Sequence, residues 1–536
     1  MRLYVPRVSF APLQLSVMLV FLSVSAKANA DDATSVDTDN AAPNPSSEAS
    51  VPPPVLRPTP VPVAPAPPAD ARAGAFELAS LKVLREKGIL TDAEYASATK
   101  DVIDTAGLRG PEGTTLAVGK WATTIYGFVQ ASSIYDTTQS FNEQMGNGAV
   151  ARSGTFVGDH DRLQFSARHS RFGLRVKAPE WHGMRASAQL EMDFLGTQLP
   201  VGAGQPYFGS EGAFITNPTL RARHLNFKLE TPVVDFLVGQ SWALLGWQPV
   251  FQPNTVEIQG VPGQVFSRTP QIRLSKTMKF GAVTTELAVA ALRSPQRDSG
   301  IPDGQAGLRI TYEKFTGAHT GSATATGIQP ISIAVTGDVR HVRLPEFSAA
   351  PKDTRGKNGG TIAVDALVPI LPASKGTMGN SLTLVGEFAS GYGAAEQYSS
   401  LNGGVSFPAL PNPSNATPAP TFAQDIDNGI AVYDAKGSLH LVQWTSFFVG
   451  AEYYLPGLDG KVWVSGFLSR LESSNAKSYG APARVRDHSL YVSGAAFADV
   501  TPAVRVGLEY SNYQDTYADA QTATNHRFQT SFFYLF

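Results

Sequence analysis

The feature that most limits this chain is a period of two that begins near Trp121 and runs to its last residue. In the final segment Phe528, Thr530, Phe532, Tyr534 and Phe536 share one face of an extended strand, and Arg527, Gln529 and Ser531 share the other. Just upstream, Val504, Val506, Leu508 and Tyr510 alternate with Arg505, Gly507, Glu509 and Ser511. Ala186, Ala188, Leu190, Met192 and Phe194 likewise alternate with Arg185, Ser187, Gln189, Glu191 and Asp193. Helices cannot present such faces. A soluble sandwich could, with its oily faces packed on each other, but two signs favour lipid. Phe and Tyr gather near the strand ends as an aromatic girdle would, and alternating segments of about ten residues recur between turns of unequal length.

Sixteen candidate strands start near residues 121, 163, 184, 222, 233, 268, 283, 307, 331, 361, 381, 444, 461, 490, 503 and 525, an even number, as a single-chain bacterial barrel requires. The connections alternate as a barrel with one end in the periplasm predicts. Short Pro- or Gly-bearing turns at 179–183, 231–232, 276–282, 456–460 and 499–502 are interleaved with long stretches at 137–161, 196–219, 241–267, 396–438, 472–487 and 514–524. Residues 315–330 are too long for the turn they would have to form, so a strand boundary there is in doubt. The expected fold is all-β: a 16-stranded antiparallel transmembrane β-barrel over 120–536, with a short N-terminal helical hairpin.

Upstream of the barrel the sequence reads as three pieces. Residues 1–30 are expected to be a signal peptide, with Arg2 and Arg7 before an apolar run and Ala28-Asn29-Ala30 as its cleavage motif. The run contains Pro12 and Gln14 and is too short for a membrane anchor. Residues 31–70, with eleven prolines between Pro43 and Pro68, form a disordered tether. Within 71–110, Phe76, Leu78, Leu81 and Leu84 have near-helical spacing, Gly88 is placed as a cap, and Thr91-Asp92-Ala93-Glu94 is a capping box opening a second helix. Two such helices bury too little to stand alone, so an oligomerisation module is expected. The stretch 81–95 resembles the short SHOCT-type oligomerisation motif.

Composition removes several function classes. The 536 residues hold no Cys, which excludes disulfides, thiolate metal sites and Cys nucleophiles. A net charge of -2 offers no basic surplus for nucleic acid. His169 and Ser170 are sequential and so point to opposite faces of a regular strand, and the remaining histidines are scattered, so no hydrolase constellation is visible and no enzyme is expected. The 417 residues after position 119 are too few for a 22-stranded transporter with a plug. No metal or cofactor is expected.

Sixteen strands enclose water, and something must narrow it. The third long loop, 241–267, carries Trp242, Trp247, Phe251 and Phe266 with Glu257, an apolar make-up for a loop, and is expected either to fold inward as a constriction or to form an outer subunit contact. Arg162, Arg168, Arg171, Arg175, Lys177, Arg185, Arg273, Arg505 and Arg527 fall on polar strand faces, whereas Asp298, Asp303, Asp353, Asp425 and Asp427 fall in loops. Inward guanidinium groups would favour anionic solutes. They could instead pair with Glu191, Asp193 and Glu509 and merely brace the wall. The face parity of 162–177 changes near 168–170, which requires a bulge.

Two resemblances add to this reading. The ending Phe532-Phe533-Tyr534-Leu535-Phe536 resembles the C-terminal signal of bacterial outer-membrane barrels. The layout, with Tyr126-Gly127-Phe128-Val129-Gln130, Ser166-Ala167-Arg168-His169-Ser170-Arg171-Phe172-Gly173 and Leu237-Val238-Gly239-Gln240-Ser241-Trp242, resembles the DcaP-like trimeric porins. That resemblance implies a homotrimer in outer-membrane lipid, a helical extension in the periplasm and passive diffusion of small organic anions such as carboxylates, with Arg168, Arg171 and Trp242 at the pore side. The long tether and the Pro/Asn-rich stretch 407–422 depart from the pattern. The competing reading is an outer-membrane anchor reaching toward the cell wall, with little solute selectivity.

Overall fold

A computed structural model describes residues 85, 91, 94 and 114–118, and 121–536 apart from 146–147, 197–214, 258–259, 298, 322–325, 375–377 and 402–425. The expectations for the signal peptide and the tether lie outside the described residues. Of the helical module, Arg85 and Glu94 are helical, and Thr91 and Glu94 close the expected capping box. The Thr91 amide donates to Glu94 Oε2 at 2.9 Å, and the Glu94 amide donates to Thr91 Oγ1 at 3.3 Å.

The alternating segments form sixteen staves: β1 (Trp121–Asp136), β2 (Arg162–Ser166 and Arg171–Lys177), β3 (Arg185–Asp193), β4 (Arg221–Glu230), β5 (Asp235–Trp242), β6 (Arg268–Phe280), β7 (Val283–Leu292), β8 (Asp303–His319), β9 (Gly327–Pro345), β10 (Thr354–Leu371), β11 (Ser381–Tyr392), β12 (Gln443–Tyr454), β13 (Val462–Glu472), β14 (Arg486–Thr501), β15 (Val504–Tyr517) and β16 (Thr522–Leu535). Each pairs antiparallel with its sequence neighbours, and β16 returns to β1 in the register Phe128↔Leu535 to Asp136↔Arg527. Below that contact a short strand, Thr114–Val118, pairs with residues 121–125 of β1. At the junction the Gly127 amide donates to the Phe536 carbonyl at 3.0 Å, and the Phe536 amide donates back at 3.1 Å. Among the described residues the sixteen staves thus close on one another, as a sheet in hydrocarbon must.

The faces sort as the alternation requires. On β16, Phe528 is 52% exposed and its neighbour Arg527 1%. Leu508 and Tyr510 face outward on β15, while Arg505, Glu509 and Ser511 face inward. Within the second stave, Phe128↔Arg171 and Ser132↔Ser166 place three residues of β1 opposite four of β2, which is the expected bulge. Ser170 stands in for the missing ladder bonds, its Oγ accepting from the Gln130 amide at 3.0 Å.

Several boundaries differ from expectation: of the expected turn 276–282, residues 276–280 belong to β6 and only 281–282 form the turn. Residues 315–330 are largely strand: β8 and β9 run on in register from Thr316↔Pro330 to His319↔Gly327 past an irregularity after Tyr312. Likewise β15 and β16 absorb most of 514–524 and leave 518–521 as the loop. Asp303, expected in a loop, begins β8 and is buried 3.3 Å from Arg340. Asp298 and Asp425 lie outside the described residues.

The seam gives a direct test. Gly127 has φ +154, and a Cβ there would sit 2.2 Å from the Arg171 carbonyl oxygen. Gly127→Val must therefore push β1 off β2, at a cost of at least about 3 kcal/mol. Heat-modifiable migration on SDS gels should show loss of the folded band, while Gly494→Ala, where a Cβ meets nothing within 4 Å, should keep it.

Candidate functional site: the barrel interior

Loop 243–267 leaves the top of β5 and crosses the barrel. Gln305 on β8 receives the Leu244 and Leu245 amides at 2.8 and 3.0 Å, and Thr336 Oγ1 on β9 receives the Gly246 amide at 3.2 Å. On the far side Trp463 Nε1 and Ser465 Oγ of β13 donate to Asn254, each at 2.8 Å, and the Val256 amide donates to Glu509 Oε2 on β15 at 2.5 Å. The return leg gives the Val265 amide to Glu387 Oε1 on β11 at 2.6 Å. The residues that make this loop apolar are the ones it buries: Trp247, Phe251, Val256, Val265 and Phe266. Each such side chain stabilises the inward course by about 1.5–3 kcal/mol. Trp242, expected within the loop, is instead the last residue of β5.

Two other loops join it. Described residues of 137–161 line the wall at β15, where Phe141 stacks on Tyr513 with centroids 5.3 Å apart and the Val150 amide donates to Asp515 at 2.8 Å. From the loop after β11, Tyr398 pairs with Val265, and a small hairpin, Ala431–Tyr433 with Leu439–Leu441, packs with Leu344, Trp444 and Leu471.

These covers divide the expected arginines. Arg168, Arg505 and Arg527, expected to face lumen water, are only 1–2% exposed and are held by carboxylates or covering loops. Arg168 Nη1 donates to Glu143 at 2.9 Å, and Arg505 pairs with Asp499 at 2.6 Å over the Trp463 ring. Arg527 grips Asp136 through two 2.8 Å bonds, reaches the carbonyls of Asn142 and Glu143, and stands 3.5 Å from Glu257. Arg162 donates to the Phe141 carbonyl at 2.6 Å. Arg185, more than half exposed, lies at the turn end beside Glu230. Partly open positions are held by Arg171, by Arg175 over the Tyr126 ring at 5.1 Å, and by Arg273, which donates to the Trp242 carbonyl.

The densest basic group includes three residues that the sequence reading passed over. Glu191 and Asp193 on β3 are ringed by Arg171 (3.5 Å to Glu191), Arg221 (2.7 Å to Asp193) and Arg223 (2.7 and 3.1 Å to the two). Arg268 completes the group, its guanidinium 4.6 Å over Trp242, with Nη1 buried and without a hydrogen-bond partner. His224 and Phe266 close the aromatic side, 5.8 and 4.6 Å from Trp242. Four guanidinium groups thus meet two carboxylates. The signal was present in Arg221-Ala222-Arg223, two bases one alternation apart. An extra residue in β4 brings Arg223 and His224 both into the group, with Glu191↔His224 followed by Met192↔Ala222.

A closed sixteen-stave barrel with long loops at one end, short turns at the other and a third loop laid across its interior is the porin architecture. The chain is similar in structure to the outer membrane channel DcaP of Acinetobacter baumannii, with a TM-score of 0.55 and 16% identity over 78% of this chain and 99% of that one. The resemblance drawn from the sequence motifs is thereby borne out at the level of the fold. It also aligns with an anion-selective porin from Comamonas acidovorans (TM-score 0.44, 11% identity, 78% and 100% covered) and with OmpF of Salmonella typhi (0.41, 10%, 79% and 100%). No protein-family model and no curated relative matches the sequence.

Glu257 is held by the Met145 amide at 2.9 Å. Burial outweighs the nearby Arg527, and with Glu509 beside it the carboxyl is pushed up to about 8. A raised value means that the proton supports the folded state: its contribution is full below the ordinary carboxylate range, wanes as pH rises and is gone above about 8. Thermal unfolding of the purified barrel should accordingly fall between pH 5 and pH 9, and Glu257→Gln should flatten that slope. Arg527→Ala, which strands Asp136 in the interior, should cost about 3–5 kcal/mol, against less than about 1 for Arg175→Ala.

Proposed function

We propose that this protein is a bacterial outer-membrane porin through which small carboxylated anions diffuse, that loop 243–267 is its constriction, and that it works as a homotrimer with its N-terminal segment in the periplasm. The observation that carries the anionic preference is the basic group on β2–β6, four guanidinium groups against Glu191 and Asp193 with Arg268 Nη1 unsatisfied. Inside a low-dielectric wall such a surplus raises the local concentration of anions and supplies planar donors that match a carboxylate. The covered arginines add little field, because Arg505, Arg527 and Arg168 already have carboxylates. The solute path on this reading runs along the partly open face of β2–β7, past Arg171, Arg175 and Arg273, with the Tyr126 ring beside Arg175.

Planar-bilayer recordings in a salt gradient should give stepwise conductance with a reversal potential on the anion side. Cation preference would overturn the proposal. Arg175→Gln with Arg273→Gln should cut the anion-to-cation permeability ratio about two- to fivefold and leave assembly intact, because partly open lumen positions tolerate replacement. A ratio unchanged in that pair would place the selectivity elsewhere.

A further inference from the structure

At the short-turn end of the barrel β8 and β9 do not stop with their neighbours. The ladder to β7 ends at Val283↔Tyr312 and the ladder to β10 ends at Ser332↔Leu367, but β8 and β9 stay paired with each other from Thr316↔Pro330 to His319↔Gly327. The three residues between Tyr312 and Thr316 have no counterpart on β9, where Ile331 follows Pro330 directly, and such a bulge bends a hairpin.

The bend carries the hairpin onto the inner wall. Thr316 is tied to the turn after β10, its carbonyl receiving the Ala373 amide at 2.8 Å and its Oγ1 donating to the Ala373 carbonyl at 2.6 Å. On β11 Ser381 Oγ receives the Ala318 amide at 3.1 Å, and Thr383 Oγ1 donates to the Ala318 carbonyl at 2.7 Å. On β12 Glu452 Oε2 receives the Thr320 amide at 3.0 Å, Tyr454 Oη lies 2.8 Å from Thr320 Oγ1, and His319 Nδ1 stands 2.9 Å from Glu452 Oε1. Ser381, Thr383, Glu452 and Tyr454 are buried inward positions, so the hairpin lies inside the cylinder. From β9 to β12 it crosses three strand spacings, about 14 Å of wall. Gly317 permits the contact: a Cβ there would sit 2.5 Å from Thr383 Oγ1 and 2.8 Å from Pro369 Cβ. Loop 243–267 anchors on the same wall, since Tyr454 stacks on Trp463 with centroids 5.6 Å apart and Trp463 Nε1 donates to Asn254.

We propose that the β8–β9 hairpin is a second constriction, entering from the short-turn end, and that with loop 243–267 it confines solutes to the lane along β2–β7 and sets the upper size of what passes. Both elements fill the same side of the lumen, which leaves the basic side as the way through. The inference rests on the porin reading and adds a size limit to its charge preference.

The test uses the purified full-length protein in planar bilayers and in liposomes. Replacing residues 314–329 by a two-residue Asn-Gly turn keeps the Tyr312↔Ile331 pair and the closed wall. Single-channel conductance should rise about 1.3- to twofold, and a neutral trisaccharide should enter liposomes about threefold faster or more, with the anion-to-cation ratio held within about 1.5-fold. Gly317→Val should shift both in the same direction, and Gly494→Ala should match the native protein. Because the chain lacks cysteine, Gly317→Cys with Thr383→Cys reports the contact without any current: the pair should oxidise to a disulfide in the folded barrel. A folded pair that stays reduced would overturn the inference, as would native conductance and sugar entry in both the shortened chain and Gly317→Val. If the shortened chain loses its heat-modifiable band, Gly317→Val and the cysteine pair decide. A native protein that conducts nothing would sink the porin reading itself, whereas a conducting native protein with unchanged variants would sink this inference alone.

Discussion

Everything in this molecule follows from the need to pair backbone hydrogen-bonding groups where water is absent. A sheet in hydrocarbon can do so only by closing on itself, and the closure here depends on one close approach. Gly127 lets β1 pass within contact of β2 while exchanging two hydrogen bonds with Phe536. Once the cylinder is closed, strand geometry sends alternate side chains to lipid and to the interior. The outward rows are then Val, Leu, Ile and Phe, and the inward rows Ser, Thr, Gln, Asp, Glu and Arg.

The polar interior that closure creates is then filled unequally. Three loops fold onto the inner face of β8–β16, and beneath them several arginines are matched by local carboxylates. Arg340 meets Asp303, Asp338 and Glu396, Arg486 meets Asp515, and Arg527 meets Asp136. Burial demands such pairing, because an ion without a partner would cost several kcal/mol. On β2–β6 the wall is less covered, and there the bases outnumber the acids.

Much of this was legible in the sequence, because a period of two admits few readings over sixteen segments. The stave count, the face of each residue on β3, β15 and β16, the bulge between Ser166 and Arg171, and the Thr91–Glu94 box all follow from local pattern. The misplaced boundaries at 315–330 and 514–524 are rich in Gly, Thr and Ala or in polar residues, where strand and loop composition overlap and only cross-strand register decides. The arginines show a different limit. Parity places Arg168, Arg505 and Arg527 inside, but whether an inward residue meets water depends on loops hundreds of positions away, as when Arg527 meets Asp136 and Glu257. Arg223 escaped notice because an extra residue in β4 interrupts the alternation that would have placed it.

The most direct test of the two-faced, closed cylinder exploits the absence of cysteine from the chain. Single cysteines placed in turn from Ile272 to Thr277 on β6 would be treated, in bilayers, with a charged water-soluble thiol reagent while current is recorded. The account predicts that Arg273, Ser275 and Thr277 positions react and step the conductance, and that Ile272 and Leu274 positions stay inert. Reaction without a two-residue period, or on the Ile272 and Leu274 face alone, would contradict it.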